Sequence, residues 1–191
     1  MKSEIQSLMK QNHIDAIIVS GSRQHNPQLA YFVGNNFFTF ADVIIPQIGE
    51  PVLFYRVMER DCAKQTGIKC VCQDELLREN KKPDELKTPA EARAWALKVF
   101  LNSLPLTKGN IAFCGRLEFG EAYAAIEELK KLEPDFHICG DEGNGILCQA
   151  RYTKDMDELR KIRHMGEITT EVVGRVEQFI RSGYLKDGKA F

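Results

Sequence analysis

Ala16-Ile17-Ile18-Val19-Ser20-Gly21-Ser22-Arg23-Gln24-His25-Asn26-Pro27-Gln28-Leu29-Ala30-Tyr31-Phe32-Val33-Gly34 reads as a strand, a polar loop and a helix in immediate succession. Ala16 to Val19 is short, apolar and mostly β-branched, the composition of a buried strand, and Ser20-Gly21-Ser22 closes it. Asn26 can accept from the first turn of a helix, and Pro27 suits the first helical position, where its missing N–H would be unpaired in any case. Gly34 supplies the stop. Loops that leave the carboxyl end of a strand are where α/β sheets meet ligands, which singles out His25; an ordinary surface histidine is the competing reading.

Working outward, Ile5, Leu8 and Met9 stand at helical spacing within Ser3 to His13. Phe38 to Ile45 and Val52 to Arg56 are rich in branched and aromatic residues, and Gly49-Glu50-Pro51 between them predicts an antiparallel pair. Met58 to Gln65 follows as a short helix, Ile68 to Cys72 as a strand and Gln73 to Lys87 as a charged loop. Thr88 then caps, Pro89 opens and Glu91 completes a capping box for a helix that buries Ala92, Trp95, Ala96, Val99 and Phe100 and stops before Pro105. Asn110 to Cys114 is a strand, Gly120 to Leu132 a helix and Phe136 to Cys139 the last strand. Alternation of this kind predicts an α/β fold, a mixed β-sheet of about five to six strands with helices on both faces.

Beyond residue 150 the pattern changes. Met156, Leu159, Ile162, Met165, Ile168, Val172, Val176 and Phe179 recur at three- and four-residue steps, one face of a single helix of about 28 residues and roughly 40 Å. That is longer than the sheet domain can easily cover. The organisation is therefore an α/β domain over 1–150 and a long C-terminal helix with its surroundings over 151–191.

Composition excludes more than it assigns. The net charge of -1 and the alternation of acids and bases in Glu127, Glu128, Lys130, Lys131 and Glu133 speak against a nucleic-acid binder. No apolar run is long enough to cross a bilayer and Met1 to Gln6 has no signal-peptide layout, so a cytoplasmic protein is expected. Six cysteines in 191 residues do not form the dense framework of a small secreted fold. Cys70 and Cys72 lack the further ligands of a zinc set and are expected on opposite faces of a short strand. His13, His137 and His164 stand alone. Gly140-Asp141-Glu142-Gly143-Asn144-Gly145 carries two acids where a phosphate loop needs donors, and reads as a turn. Ser20 and Ser22 lack a nucleophile-elbow frame, and Cys62, Cys114, Cys139 and Cys148 could be nucleophiles only where a base approaches in space.

Three segments together resemble the amino-terminal domain of the creatinase, prolidase and Xaa-Pro aminopeptidase family (the M24 metallopeptidases). Ile17-Ile18-Val19 with Asn26-Pro27-Gln28-Leu29-Ala30-Tyr31-Phe32-Val33-Gly34 is similar to its strand and its segment of Asn, Leu or Phe, Tyr, Thr and Gly, with Val33 in place of the usual threonine. Pro51-Val52-Leu53-Phe54-Tyr55-Arg56 resembles the strand that comes next. Arg151, Lys154 and Glu158 resemble the start of the helix that joins this domain to the catalytic one.

The resemblance implies a non-catalytic domain that shapes a substrate pocket and mediates oligomerisation in a dinuclear-metal Xaa-Pro hydrolase, an aminopeptidase or dipeptidase. The catalytic "pita-bread" domain, with its two divalent metals (Mn, Co or Zn) on carboxylates and a histidine, would lie beyond these residues; no metal site and no catalytic residue is expected within them. The implied partners are that catalytic domain, a second copy in a homodimer and a peptide substrate. The loops place Arg23, His25, Asn26, Asn35, Asn36 and Phe37 on the pocket wall, with Arg56 able to meet a substrate carboxylate or to form a surface ion pair. Phe37, Phe38 and Phe40 suit either an apolar wall or the core. Met156, Leu159, Ile162, Ile168, Val172 and Phe179 are the implied interdomain or oligomer contacts. Two other readings stay open: a stand-alone peptide-binding module of the same fold, and the amino-terminal domain of a creatinase-like amidinohydrolase.

Overall fold

In a computed structural model, residues 1–83, 85–186 and 188–190 are described. Asp84 in the expected charged loop, and Asp187 and Phe191 at the end of the expected C-terminal unit, lie outside them. The chain forms two compact units, Lys2–Ala150 and Met1 with Arg151–Phe191.

The first unit runs α1 (Ile5–Gln11), β1 (Ala16–Gly21), α2 (Pro27–Val33), β2 (Ala41–Pro46), β3 (Val52–Tyr55), α3 (Arg60–Gln65), β4 (Lys69–Cys72), α4 (Gln73–Glu79), α5 (Pro89–Asn102), β5 (Gly109–Arg116), α6 (Phe119–Leu132), β6 (Phe136–Gly140) and α7 (Ile146–Ala150). The second holds α8 (Met156–Ser182) and a two-stranded pair, β7 (Leu185–Lys186) and β8 (Lys189–Ala190). That pair follows β6, the strand expected to be last.

Strands stand in the order β4-β3-β2-β1-β5-β6. β2 is antiparallel to β1 and β3, and the other neighbours are parallel, so five strands run one way and β2 runs against them. The mixed sheet with two covered faces is as expected. On one face Ile17, Val19, Val43 and Leu53 pack with Met9, Leu29, Phe32, Ala63 and Leu147, from α1, α2, α3 and α7. On the other, Ile18, Ile44, Phe54 and Ile111 pack with Leu97, Phe100 and Leu129, from α5 and α6. The Phe54 and Phe100 rings stack 4.4 Å apart and fasten α5 to β3; burying each ring is worth about 2–3 kcal/mol.

The local signals act as read. Asn26 Oδ1 accepts from Leu29 N at 3.1 Å, and Thr88 and Glu91 form the reciprocal capping box. Other expectations need correction. Gln73–Lys87 is not all loop: Gln73–Glu79 is helical, with Leu76 and Leu77 packed on the core as its anchor. β2 starts at Ala41, because Phe38 to Phe40 belong to a loop held from both sides. Cys70 and Cys72, two apart on β4, share one face, as strand alternation requires; Val71 between them packs on the opposite core. The turn at 140–145 leads into α7, whose first N–H groups at Ile146 and Leu147 donate to Asp141.

α8 is one 27-residue helix with a capping box between Asp155 and Glu158. None of its residues is buried. Met156, Ile162, Ile168, Val172 and Phe179 are exposed, from 40% at Ile168 to 79% at Phe179, and Leu159 is half-buried.

Candidate functional site

Because β2 alone is reversed, the carboxyl ends of β1, β3, β4, β5 and β6 and the amino end of β2 share one edge of the sheet. Glycine makes the close approach at this edge possible. Gly21 and Gly115 have φ of 124° and 123°, and a Cβ on either would strike the neighbouring strand's backbone, at Arg116 and Ser20 respectively.

Two loops expected to wall a pocket lie at this edge and are zipped together. Arg23 N donates to Phe38 O (2.9 Å), Arg23 Nε to Gly34 O (3.2 Å) and Ser22 Oγ to Phe38 O (3.3 Å). Arg23 Nη2 also reaches Asn35 Oδ1 at 3.5 Å. Asn26 is buried, its Nδ2 donating to Ser20 O (3.0 Å) while its Oδ1 caps α2. His25 is exposed, with a φ of 55°, and its carbonyl accepts from Arg116 Nη1. Asn36 Nδ2 donates to Val33 O. On the far side of the second loop, Glu59 Oε1 accepts from both Thr39 N (2.6 Å) and Thr39 Oγ1 (2.7 Å). Glu59 Oε2 is buried without a partner among the described residues. The three phenylalanines separate: Phe38 is core, Phe37 is 56% exposed, and Phe40 is half-buried beneath two guanidinium groups.

Under α5 lies a buried charge cluster. Asp42 is fully buried, and its carboxylate accepts from Ser20 Oγ (2.5 Å), Arg93 Nη1 (2.9 Å) and Arg93 Nη2 (2.5 Å). Ser20 and Asp42 are register partners on β1 and β2, so the antiparallel pairing itself brings the hydroxyl to the carboxylate. Arg93 lies over the Phe40 ring at 4.9 Å, and Arg56 lies over the same ring at 5.7 Å.

This cluster borders a cavity of about 850 Å³ between the first turns of α5 and α6, lined among others by Ser20, Phe40, Arg56, Gln73, Arg93 and Glu118. Small residues leave the space: Ala92 and Ala96 on α5, and Gly120, Ala122 and Ala125 on α6. Of the expected wall residues, Arg56 lines the cavity; Arg23, His25, Asn26, Asn35, Asn36 and Phe37 lie outside its lining. On the α6 side, Glu118 caps its helix by accepting from Glu121 N, and that bond with one to Gly120 holds its carboxyl below the usual range.

The sequence reading missed Asp42, Arg93, Glu59 and Gln73. A signal for Asp42 existed: an aspartate inside Ala41-Asp42-Val43-Ile44-Ile45 is a charge in a buried strand and demands a partner.

The arrangement holds these side chains in position. The Ser20 hydroxyl faces a carboxylate already neutralised by arginine, and burial, with the Asp141 charge, pushes the Cys114 thiol up and keeps it protonated. Among the described residues no three His, Cys, Asp or Glu side chains gather as metal ligands. No helix of the described residues is long and apolar enough to cross a membrane.

No family model matches the chain, and no curated protein matches it. Solved structures do. The chain is similar to an X-Pro aminopeptidase from Thermotoga maritima (18% identity, TM-score 0.59, covering 96% of this chain and 44% of that one). It is also similar to a dipeptidase from Pyrococcus horikoshii (13%, 0.58, 92% and 43%) and to dipeptidase PepE from Mycobacterium ulcerans (14%, 0.52, 93% and 43%). Over these residues the chain has the fold that those three structures share. The chain spans less than half the length of these matched structures. In this fold the paired loops at 22–26 and 34–40 and the α5/α6 cavity occupy the same sheet edge, where α/β proteins place ligands.

Proposed function

We propose that these residues are the non-catalytic amino-terminal domain of a metal-dependent Xaa-Pro peptidase, shaping the entrance to a substrate pocket and supporting a homodimer. The coverage carries this reading: the fold match takes in nearly all of this chain and under half of peptidase chains that share the fold. Two divalent metals and their activated water would be supplied by a catalytic part outside these 191 residues, in a cytoplasmic enzyme.

The loop geometry supports a wall. A residue that selects a substrate by exclusion must stand out from the surface and must not yield. Phe37 stands out, and its loop is braced by Arg23 on one side and by Glu59 through Thr39 on the other. A rigid loop with an exposed ring rejects longer peptides by clash without touching the chemistry. The exposed stripe of α8 is then the face on which the catalytic part packs, since an apolar stripe of this length is costly to leave in water.

The test is the complete reading frame. Joined to whatever follows codon 191, the protein should hydrolyse Xaa-Pro dipeptides in the presence of Mn²⁺ or Co²⁺, while residues 1–191 alone should not. Phe37→Ala in the active protein should raise kcat/KM for longer Xaa-Pro peptides relative to dipeptides. Turnover by residues 1–191 that survives removal of contaminating peptidases would refute the assignment.

A further inference from the structure

We propose that the cavity between α5 and α6 is a binding site for a monoanionic carboxylate with an apolar body, its head held by Arg56, Gln73 and the first free N–H of α5. The site belongs to these residues alone, so it stands whether or not a catalytic part follows.

Gln73 carries the argument. The residue is 8% exposed and lines the cavity, and its side-chain amide, which makes no hydrogen bond among the described residues, opens on that space. A ligand in the cavity would take hydrogen bonds from this amide in exchange for water. Arg56, in the same lining, has no ion pair or hydrogen bond through its guanidinium among the described residues; the Phe40 ring beneath it fixes its place without using its donors. Arg93 does not add a second free charge, because Asp42 neutralises it. The third donor comes from the amino end of the 14-residue α5. Pro89 has no N–H, Thr88 Oγ1 takes Glu91 N and Thr88 O takes Ala92 N, which leaves the N–H of Ala90 without an acceptor among the described residues. Ala90 lines the same cavity, and the helix dipole adds positive potential there.

These groups fit one negative charge. A carboxylate matches the planar fork of Arg56 and the two neutral donors. A dianion fits less well, because of the two lining arginines only Arg56 lacks an acid partner among the described residues, and the α6 side of the lining carries Glu118 and Glu121. Those acids follow β5 while Arg56 follows β3, three strand steps away in the sheet, and their repulsion grows with the charge of the head. Between them the walls are apolar: Ala96, Leu97, Phe113, Leu117, Ala125 and Ile126. An elongated hydrocarbon or aryl body fits there, and 850 Å³ lies in the range of small-molecule sites.

Titration calorimetry of residues 1–191 with decanoate, decanol and decyl phosphate tests the site. Decanoate should bind once per chain, about tenfold or more tighter than decanol, and tighter than decyl phosphate. Arg56→Met, an exposed position whose loss leaves the core intact, should erase the preference for decanoate over decanol. Ala125→Leu should reduce all binding by filling the space. Equal affinity for decanoate and decanol, tighter binding of the phosphate, no decanoate binding at millimolar concentration, or indifference to Arg56→Met would each overturn the proposal. Gln73→Leu provides a second check on the head: it should weaken decanoate and leave decanol unchanged or improved, with the unfolding midpoint confirming that the chain stays folded.

Discussion

Replacing Arg93 with methionine should destabilise the sheet unit by about 3 kcal/mol, because it leaves the carboxylate of Asp42 buried with one hydroxyl for company. Two charge-assisted bonds from Arg93, at 2.9 and 2.5 Å, are lost together, and only the bond from Ser20 remains. Breaking a buried pair from one side generally costs about 3–5 kcal/mol. The lower end applies here, since the Arg93 side chain is 23% exposed and water can follow it in. Methionine keeps most of the aliphatic stem, so the loss is mainly that of the guanidinium, with its bonds to Asp42 and its place over the Phe40 ring. The assay is urea unfolding followed through Trp95, the single tryptophan, which lies on α5 two residues from Arg93 and reports on this unit. In heat the same loss corresponds to roughly 6–12 °C for a domain of this size. The double variant Asp42→Leu/Arg93→Met should recover most of it, because an apolar pair removes the stranded charge. A cost below about 1 kcal/mol for Arg93→Met, or a double variant worse than the single by more than that, would refute the account of Asp42 as a charge that needs its partner.

Thr88→Ala removes one arm of the α5 capping box and should lower stability by about 1 kcal/mol, measured by the same urea midpoint. Gly115→Ala meets both a φ of 123° and the Ser20 backbone, so a loss of about 1–3 kcal/mol or more, or failure to fold, is expected; a neutral effect would contradict the close approach of β1 and β5. Cys114 gives a pH dependence: its folded pKa is raised above 9.0 by burial first and by Asp141 second. The unfolded thiol therefore ionises before the folded one, so its contribution is intact below pH 9.0 and is lost as pH rises above it, at up to about 1.4 kcal/mol per pH unit. Cys114→Ala should flatten that alkaline fall. Residues 1–191 should also self-associate through α8, and Ile162→Asp with Ile168→Asp should return the monomer mass in light scattering; an unchanged dimer mass would count against it.

Which parts were legible in the sequence follows from how far apart the interacting residues lie. Asn26 with Pro27, and Thr88 with Pro89 and Glu91, are complete signals within four residues, and both helices start where those signals stand. The strands announce themselves by β-branched runs, and the reversal of β2 follows from the short turn before β3. α4 was hidden because only Leu76 and Leu77 anchor it, too few for a visible period. α7 was hidden because five residues make little more than a turn, and what holds its start is Asp141, five residues upstream of Ile146. The site is non-local throughout. Arg93 meets Asp42 across 51 residues, and Gln73 and Arg56 line one cavity with α6 only because the parallel strands end at the same edge of the sheet.

The same logic separates the two candidate surfaces. A loop that reads as polar and variable in sequence becomes a wall only when long-range bonds brace it. The bracing groups, Arg23 from before α2 and Glu59 from after β3, are invisible as a pair until the fold sets one on each side of residues 34–40. The α8 stripe is the opposite case, because its periodicity is entirely local and was legible from Met156 to Phe179. Its partner cannot be encoded in that period: a stripe of apolar residues states that something covers it and leaves the identity to charge and shape on the other side. The Glu59 Oε2 oxygen sharpens the point for the loop. A buried carboxylate oxygen with no donor among the described residues is a position where a donor from a packing partner would be worth about 1–3 kcal/mol, at the edge where the 34–40 loop faces outward. If a catalytic part docks there, Glu59→Gln should weaken its attachment while leaving the Thr39 contact able to form through the amide oxygen. Glu59→Ala should free the loop as well, and the two variants together distinguish bracing of the wall from attachment of the partner.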